Sequence, residues 1–477
     1  MFRNCQWPSR PYASSAEMLD APPTPRRCAR GPFWRAPGPG HLAPARVRRA
    51  FIIVAATAAA STAAVPAYAA TSGPAGSASA ARVATPASGS AQPDMVTQWN
   101  LTMIQGLENA AVPPPPAMRV GAIVQASVFD AVNGISRAYA YYHVAPAASP
   151  NTSRAAAAAG AAYTALVALI PAQKPLFDAQ LSATLAQLAD DPSNPGPPVK
   201  RGLTWGTSVA NDILAWRASD GFTAVLPPYV PGTDPGDWQP TPPLFGPPAF
   251  RQFADMTPFA MTSPSQFLPP PPPSLTSQLW ATDLAEVQAY GSATSTVRTP
   301  QETQTAQFWD SDTPVAMWDR AADQLALQQP TSLTNHARLL ALMNIAMGDA
   351  VIAIWNAKNT YNFWRPVTAI RATSDPNWTP LRRTPPFQEY PSGHAGVSNA
   401  GASVLASFYG DDTSFTVSSF GLPGVERNFT SFSSAVQQVT NARIYAGIHY
   451  RFSCVAAAVM GAKIASQVTH DLMRPLN

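Results

Sequence analysis

The sequence predicts an all-α protein, and three observations carry that expectation. From about Asp94 onward Ala, Leu, Val and Ile recur at spacings of three and four residues, the period of a helix with one apolar face. No run alternates apolar and polar residues convincingly enough to be a strand. Proline is concentrated from Phe222 to Ser274, a stretch that ends in the run Pro269 to Pro273; it reads as a long extended strap laid over the helices. With 477 residues, 46% of them hydrophobic, the chain can bury a large core.

In order along the chain, residues 1–45 hold Pro, Arg, Trp and Cys without periodicity and read as a leader or an upstream extension outside the fold. Arg46, Arg48 and Arg49 then precede a small apolar stretch, Ala50 to Ala64, and the tail Val65-Pro66-Ala67-Tyr68-Ala69. Basic region, apolar region and A-x-A site make a signal peptide over about 46–69; the apolar stretch is short and Ala-rich for a membrane anchor. Arg48-Arg49-Ala50-Phe51-Ile52 also fits the loose twin-arginine pattern, so the expected destination is outside the cell. Without residues 1–69 the formal charge of +4 becomes 22 Lys+Arg against 25 Asp+Glu, which excludes a nucleic-acid binder by charge. Cys5 and Cys28 fall in the leader, leaving Cys454 as the mature chain's one thiol, so the core alone must hold the fold. Residues 70–93 are a Ser/Ala/Gly/Pro linker expected to be disordered.

Helices are predicted at about 94–107, 117–134, 152–170, 175–189, 198–219, 276–290, 299–309, 313–328, 333–358, 392–408, 433–447 and 451–473, each with Gly, Pro, Ser, Thr or Asp near an end. After the signal no apolar stretch of spanning length is free of charge, so no membrane contact is expected of the mature protein.

The chemistry is concentrated in residues 355–453, in three clusters: Lys358 to Arg365-Pro366, Pro391-Ser392-Gly393-His394, and Arg443 to His449. Lys358, Arg365 and Arg443 are fixed cations, Ser392 and the Gly393 amide are neutral donors, and two imidazoles can move protons or offer a lone pair. No carboxylate stands at these positions. Such a set would repel a divalent cation and suits a small oxyanion: Arg forks give paired hydrogen bonds, Lys a compact charge, and Gly close backbone approach. If Ser392 to His394 open a helix, its free amides add to the attraction. Phosphate and vanadate both fit. Taken singly, each cluster has an ordinary explanation as solvated charges, an N-capped turn or a core histidine. Their ordered combination does not.

That combination resembles the signature of the phosphatidic acid phosphatase type 2 superfamily, which includes the vanadium-dependent haloperoxidases: K-x6-R-P, then P-S-G-H, then S-R-x5-H-x3-D. Lys358 to Pro366 and Pro391 to His394 match in full, Ala442 replaces the Ser before Arg443, and Ser453 stands where the pattern has Asp. Ala126 to Asn133, with Asp130, also resembles bacterial haloperoxidase-like proteins, as do Thr257-Pro258-Phe259 and Arg298 to Thr303, so the likeness covers most of 94–477. It implies two helical bundles, each like a four-helix bundle, around one oxyanion site. It also implies Trp355 and Phe387 as a halide pocket of the chloride-oxidising kind, since bromide-restricted members tend to have His at the latter position.

By that resemblance vanadate is the cofactor, with hydrogen peroxide and halide as partners and an organic substrate as a further candidate. His449 would bind vanadium through a neutral ring nitrogen, and Lys358, Arg365, Ser392, Gly393 and Arg443 would hold the oxygens. His394 would be the acid-base group, and Lys358 would polarise the peroxide that oxidises halide to hypohalous acid. The rival reading is a secreted acid phosphatase in which His449 attacks phosphorus and His394 protonates the leaving alcohol. Ser453 in place of a carboxylate is expected to hurt that reaction most, because its intermediate places charge on the ring. A third reading, a non-catalytic binding protein, rests only on the departures at Ala442 and Ser453.

Overall fold

The computed structural model describes residues 93–190 and 196–476, and the leader, the signal-like segment, nearly all of the linker, Cys5 and Cys28 lie outside them. The described chain is helical, as its periodicity predicts. The first bundle is α1 (Met95–Asn109), α2 (Pro114–Ser136), α3 (Arg154–Leu169), α4 (Lys174–Asp190) and α5 (Gly196–Arg217). After the strap come α6 (Gln278–Gly291), α7 (Pro300–Asp310), α8 (Pro314–Gln328) and α9 (Leu333–Tyr361). The chain ends with α10 (Pro366–Thr373), α11 (Gly393–Tyr409), α12 (Phe432–Tyr445) and α13 (Arg451–Asp471).

Local chemistry sets many of the boundaries. Asp94, Ser153, Ser277, Thr299, Thr313, Ser332 and Ser431 each accept a first-turn N–H as N-cap, and Thr299 with Glu302 completes a capping box. Pro366 at the first position of α10 loses no hydrogen bond, because that N–H has no helical partner. Three local expectations need correction. The eight-residue α10 is too short to announce itself by periodicity. An antiparallel hairpin, β1 (Phe415–Ser418) with β2 (Glu426–Phe429), forms although four-residue strands give almost no alternation to read. The Pro-rich strap is mostly irregular but contains a 3-10 turn at Arg251–Asp255.

α9 is the central pillar. It is buried along nearly all of its 29 residues and packs against α2 of the first bundle and against α11 and α13 of the second. Allowing a charge or two, α9 and α13 are each long and apolar enough to cross a membrane by length and composition; protein covers 94% of the apolar stretch of α9 and 50% of that of α13. α11 and α13 meet backbone to backbone. A Cβ on Gly461 would stand 2.2 Å from the Gly396 carbonyl oxygen, so only glycine fits.

The strap is tied to the motif-bearing segments. Trp238 N–H donates to Asn362 O at 2.7 Å, Trp364 N–H to Gly236 O at 2.8 Å, and Ala249 N–H to Pro386 O at 2.7 Å. At its far end the Tyr361 hydroxyl donates to Pro269 O, and the Tyr390 hydroxyl donates to Pro270 O at 2.7 Å. A second apolar cluster, including Trp280, Trp364, Ile444 and Tyr450, joins α6, α10 and α12 around residues that neighbour the motif positions.

Candidate oxyanion site

Each motif residue is delivered by the end of a helix. Lys358 lies in the last turn of α9, which stops at Asn362 in the left-handed conformation with φ 46°, and Arg365 is the N-cap of α10. Ser392 is the N-cap of α11 but makes no capping bond, so its hydroxyl is left for other work beside the first-turn amides of Gly393 and His394. Arg443 is in the last turn of α12, and His449 immediately precedes Tyr450, the N-cap of α13. Between these two helices Gly447 takes φ 78°, and a Cβ there would stand 2.3 Å from Gly291 O, so the turn that presents His449 requires glycine.

These ends converge. The Lys358 ammonium is fully buried and donates to Gln388 O at 2.7 Å and Glu389 O at 3.0 Å. Arg365 donates to Phe387 O and Ile448 O, both at 2.8 Å, and its Nη1 donates to His449 Nε2 at 3.2 Å. Arg443 Nη2 donates to Asp310 Oδ1 at 3.0 Å. Three donors of the two guanidinium groups, Arg365 Nη2 and Arg443 Nε and Nη1, are buried without a hydrogen-bond partner. Ser392 Oγ likewise makes no regular hydrogen bond, its neighbour being the weakly interacting Cys454 thiol. An unmet buried donor costs about 1–3 kcal/mol, more when charged, so four on three motif residues are what a site for an acceptor would show.

Electrostatics agree with geometry. Burial, then the neighbouring Arg365, pushes the Lys358 pKa well below its ordinary value, and burial lowers Arg365 to about 9. His394, half-buried, falls to about 3 through desolvation and Arg443; His449 is depressed by burial, Arg365, Lys358 and Arg443. Both imidazoles are neutral beside these cations. A bound anion would reverse much of this, favouring protonation of His394.

Trp355 is buried and Phe387 half-buried, with ring centroids 5.0 Å apart. Phe387 lies over both Lys358 Nζ, 5.2 Å from its centroid, and the Arg365 guanidinium, 4.9 Å away. The Trp355 indole N–H donates to Ala249 O in the strap at 3.3 Å, so it is held by protein and not offered to a ligand.

The sequence reading of a site free of carboxylates is corrected. Glu389 is fully buried with its Oε1 2.7 Å from His449 Nδ1, and Asp310, at the end of α7, binds both Arg443 and Arg382, the latter at 2.6 Å. Burial pushes the Asp310 carboxyl up, but Arg443 and Arg382 outweigh it and hold it below its ordinary value. Glu389 is pushed up to about 7 by burial against the pull of Lys358 and Arg365. Both Asp310 oxygens and Glu389 Oε1 are engaged by a histidine, arginine or backbone N–H, while Glu389 Oε2 is buried without a regular partner, and four cations, Arg382 included, face the two carboxylates. The locality therefore keeps the sign an oxyanion needs. Ser453 Oγ, buried and without a regular hydrogen bond, faces Glu389. Neither acid stood at a motif position; the one available cue was a lone carboxylate in the otherwise uncharged run Thr384 to Gly393.

Helix ends that bring cations, first-turn amides and two imidazoles together, with buried donors unmet, make a mainly helical protein with a candidate oxyanion site. Among the described residues no group of three or more His, Cys, Asp or Glu side chains is arranged to hold a metal ion directly. Comparison with known proteins narrows the class. Residues 338–477 match the sequence model of the VCPO second helical-bundle domain. The vanadium chloroperoxidase of Curvularia inaequalis is 30% identical over 145 aligned positions, which take in 24% of each chain, so the match spans about a quarter of that relative. A solved bacterial vanadium-dependent iodoperoxidase is 26% identical, covers 80% of this chain and 97% of its own, and superposes with a TM-score of 0.72. A holo-type bacterial vanadium-dependent chloroperoxidase, 16% identical, covers 76% and 93% with a TM-score of 0.62, a likeness of fold. The family model over the second bundle, the curated relative and the solved structures all point to the vanadium haloperoxidase superfamily as what this chain is similar to.

Proposed function

We propose that this protein oxidises halide with hydrogen peroxide to hypohalous acid, using vanadate as cofactor. The observation that carries the reading is the set of unmet buried donors, Arg365 Nη2, Arg443 Nε and Nη1 and Ser392 Oγ, gathered with Lys358 beside the Nε2 lone pair of His449. Lys358, Arg365, Arg443, Ser392 and the Gly393 amide would hold the oxygens of vanadate, and His449 Nε2 its central atom. When bound, vanadate supplies Lewis acidity that activates peroxide without a change of oxidation state.

The remaining work belongs to the chain. The three cations offset the anion's charge in a desolvated setting where each is strengthened. His394, at the start of α11 and half-buried, exchanges protons with peroxide and product oxygen. Trp355 and Phe387 exclude water on the Lys358 side and would form the apolar wall that a halide approaches. The signal-like segment 46–69 supports export, so we place the reaction outside the cell; fractionation of a tagged full-length chain tests this.

A second reading, hydrolysis of phosphate esters through a phosphohistidine at His449, is favoured by the carboxylate on that ring. The absence of Asp at position 453 no longer counts against it, because Glu389 lies 2.7 Å from Nδ1. Metal-free protein incubated with orthovanadate, peroxide and chloride, bromide or iodide, with dye halogenation followed beside phosphate-ester hydrolysis in a vanadate-free sample, separates the two. Halogenation that disappears in His449→Ala supports the first reading, and phosphate release alone supports the second. Inertness in both assays refutes both.

A further inference from the structure

We propose that Glu389 is the positioning residue for His449, supplying from the segment before Pro391 the carboxylate that the superfamily pattern places at position 453. The inference rests on the reading above only in taking His449 Nε2 as the atom that faces the oxyanion.

The ring is fixed by logic as well as distance. Arg365 Nη1 lies 3.2 Å from His449 Nε2, and a guanidinium has no acceptor, so Nε2 carries the lone pair. The proton of the neutral imidazole must then be on Nδ1, which donates to Glu389 Oε1 at 2.7 Å. The same oxygen accepts the backbone N–H of Tyr450 at 3.1 Å, so one carboxylate oxygen holds both the imidazole and the main chain that carries it. Glu389 is itself held: its N–H donates to Phe363 O at 2.9 Å, and its carbonyl accepts from Lys358 at 3.0 Å. It thereby links the Lys358 and His449 motifs.

Position 453 completes the argument. Ser453 is buried on the first turn of α13, its carbonyl accepts the Ser392 N–H at 3.3 Å, and its hydroxyl faces Glu389. An Asp here would set a second carboxylate against Glu389 beside one imidazole, where two buried like charges repel. The two positions are therefore alternatives: a carboxylate at 389 requires a neutral residue at 453.

The test compares the full chain, free of vanadate, with Glu389→Ala, Ser453→Asp and the double variant. Nitrogen-15 NMR of the histidines reads the His449 tautomer, and orthovanadate titration reads affinity. The expected result is a single Nδ1–H tautomer in the unaltered chain. In Glu389→Ala the Nδ1–H population should fall, because Arg365 alone remains to favour it, and orthovanadate should bind about 10–100-fold more weakly. The double variant should recover most of both, whereas Ser453→Asp alone should weaken binding. Should Glu389→Ala fail to fold, Glu389→Gln keeps the volume and an acceptor oxygen; a loss of several-fold is expected, and unchanged affinity overturns the proposal. An unchanged tautomer in Glu389→Ala, or a double variant no better than the single one, also overturns it. If the unaltered chain takes up no vanadate, the cofactor reading fails, and the tautomer comparison alone still decides the role of Glu389.

Discussion

His336 and His449 are buried to the same degree, 1% and 2% exposed, yet their surroundings pull them in opposite directions. His336, in α9, has Asp94 3.0 Å from Nδ1 and Asp323 3.4 Å from Nε2. Burial alone would lower its pKa, but the two carboxylates raise it to about 9. Asn100 donates to Asp323 at 2.8 Å and Gln125 to Asn100 at 2.7 Å, extending the network across α1 and α2. His449 has one carboxylate on one side and three cations around the other, and it stays neutral. The first arrangement is balanced within the protein and binds helices together. The second has more cations than carboxylates and keeps several donors unmet, the arrangement that an added anion would complete. Burial by itself therefore does not separate a structural histidine from a functional one; the sign of the charges on its open side does.

Reciprocal substitutions give the sharpest test. His449→Ala or His394→Ala should lower vanadate-dependent halogenation at least about a thousandfold, near 4 kcal/mol, with unfolding midpoints little changed. His336→Ala should do the opposite, leaving turnover per folded molecule unaltered while urea unfolding shows a loss of about 3 kcal/mol from two uncompensated carboxylates. If each substitution impaired both properties alike, the distinction would collapse.

The pH dependence of stability refines the same contrast. Because the folded His336 pKa of about 9 lies above the ordinary 6.5, its contribution is complete below pH 6.5 and is lost as pH rises through about 9. Over that window the unaltered chain should lose about 2 kcal/mol, less than the full shift because Asp323 is itself pushed up by burial. A His336→Asn variant should show a flatter profile between those pH values.

The smallest effect concerns Asp310, whose removal has a diagnostic sign. Asp310→Asn takes away a negative charge near the site, which on electrostatics alone would tighten orthovanadate binding. It also weakens the 3.0 Å anchor of the Arg443 guanidinium, which is left with a neutral amide oxygen in place of a carboxylate. We expect anchoring to win and affinity to fall about tenfold, or 1.4 kcal/mol, in a titration of the purified variant.

How much could be read from the sequence follows from the range of each interaction. The helices of the core and the three cationic clusters are written in spacings of a few residues, so periodicity and motif order recover them. The acids that complete the site are not, because Asp310 meets Arg443 across 133 residues and Glu389 meets His449 across 60. The His336 network is hidden for the same reason, with 242 residues between Asp94 and His336. Ser453 was read as a lost carboxylate because only its own position was visible; the structure shows another carboxylate occupying the place beside the ring.

The glycine contact between α11 and α13 bears on the spacing of the two histidines. His394 stands at the start of α11 and His449 just ahead of α13, so the gap between the two imidazoles is gauged partly by how near those helices lie. With a Cβ at 461 falling 2.2 Å from Gly396 O, that gauge has no clearance for even one added carbon atom. A change in working distance must therefore come from residues around the mouth of the site, since the rods that carry the rings already rest on bare main chain.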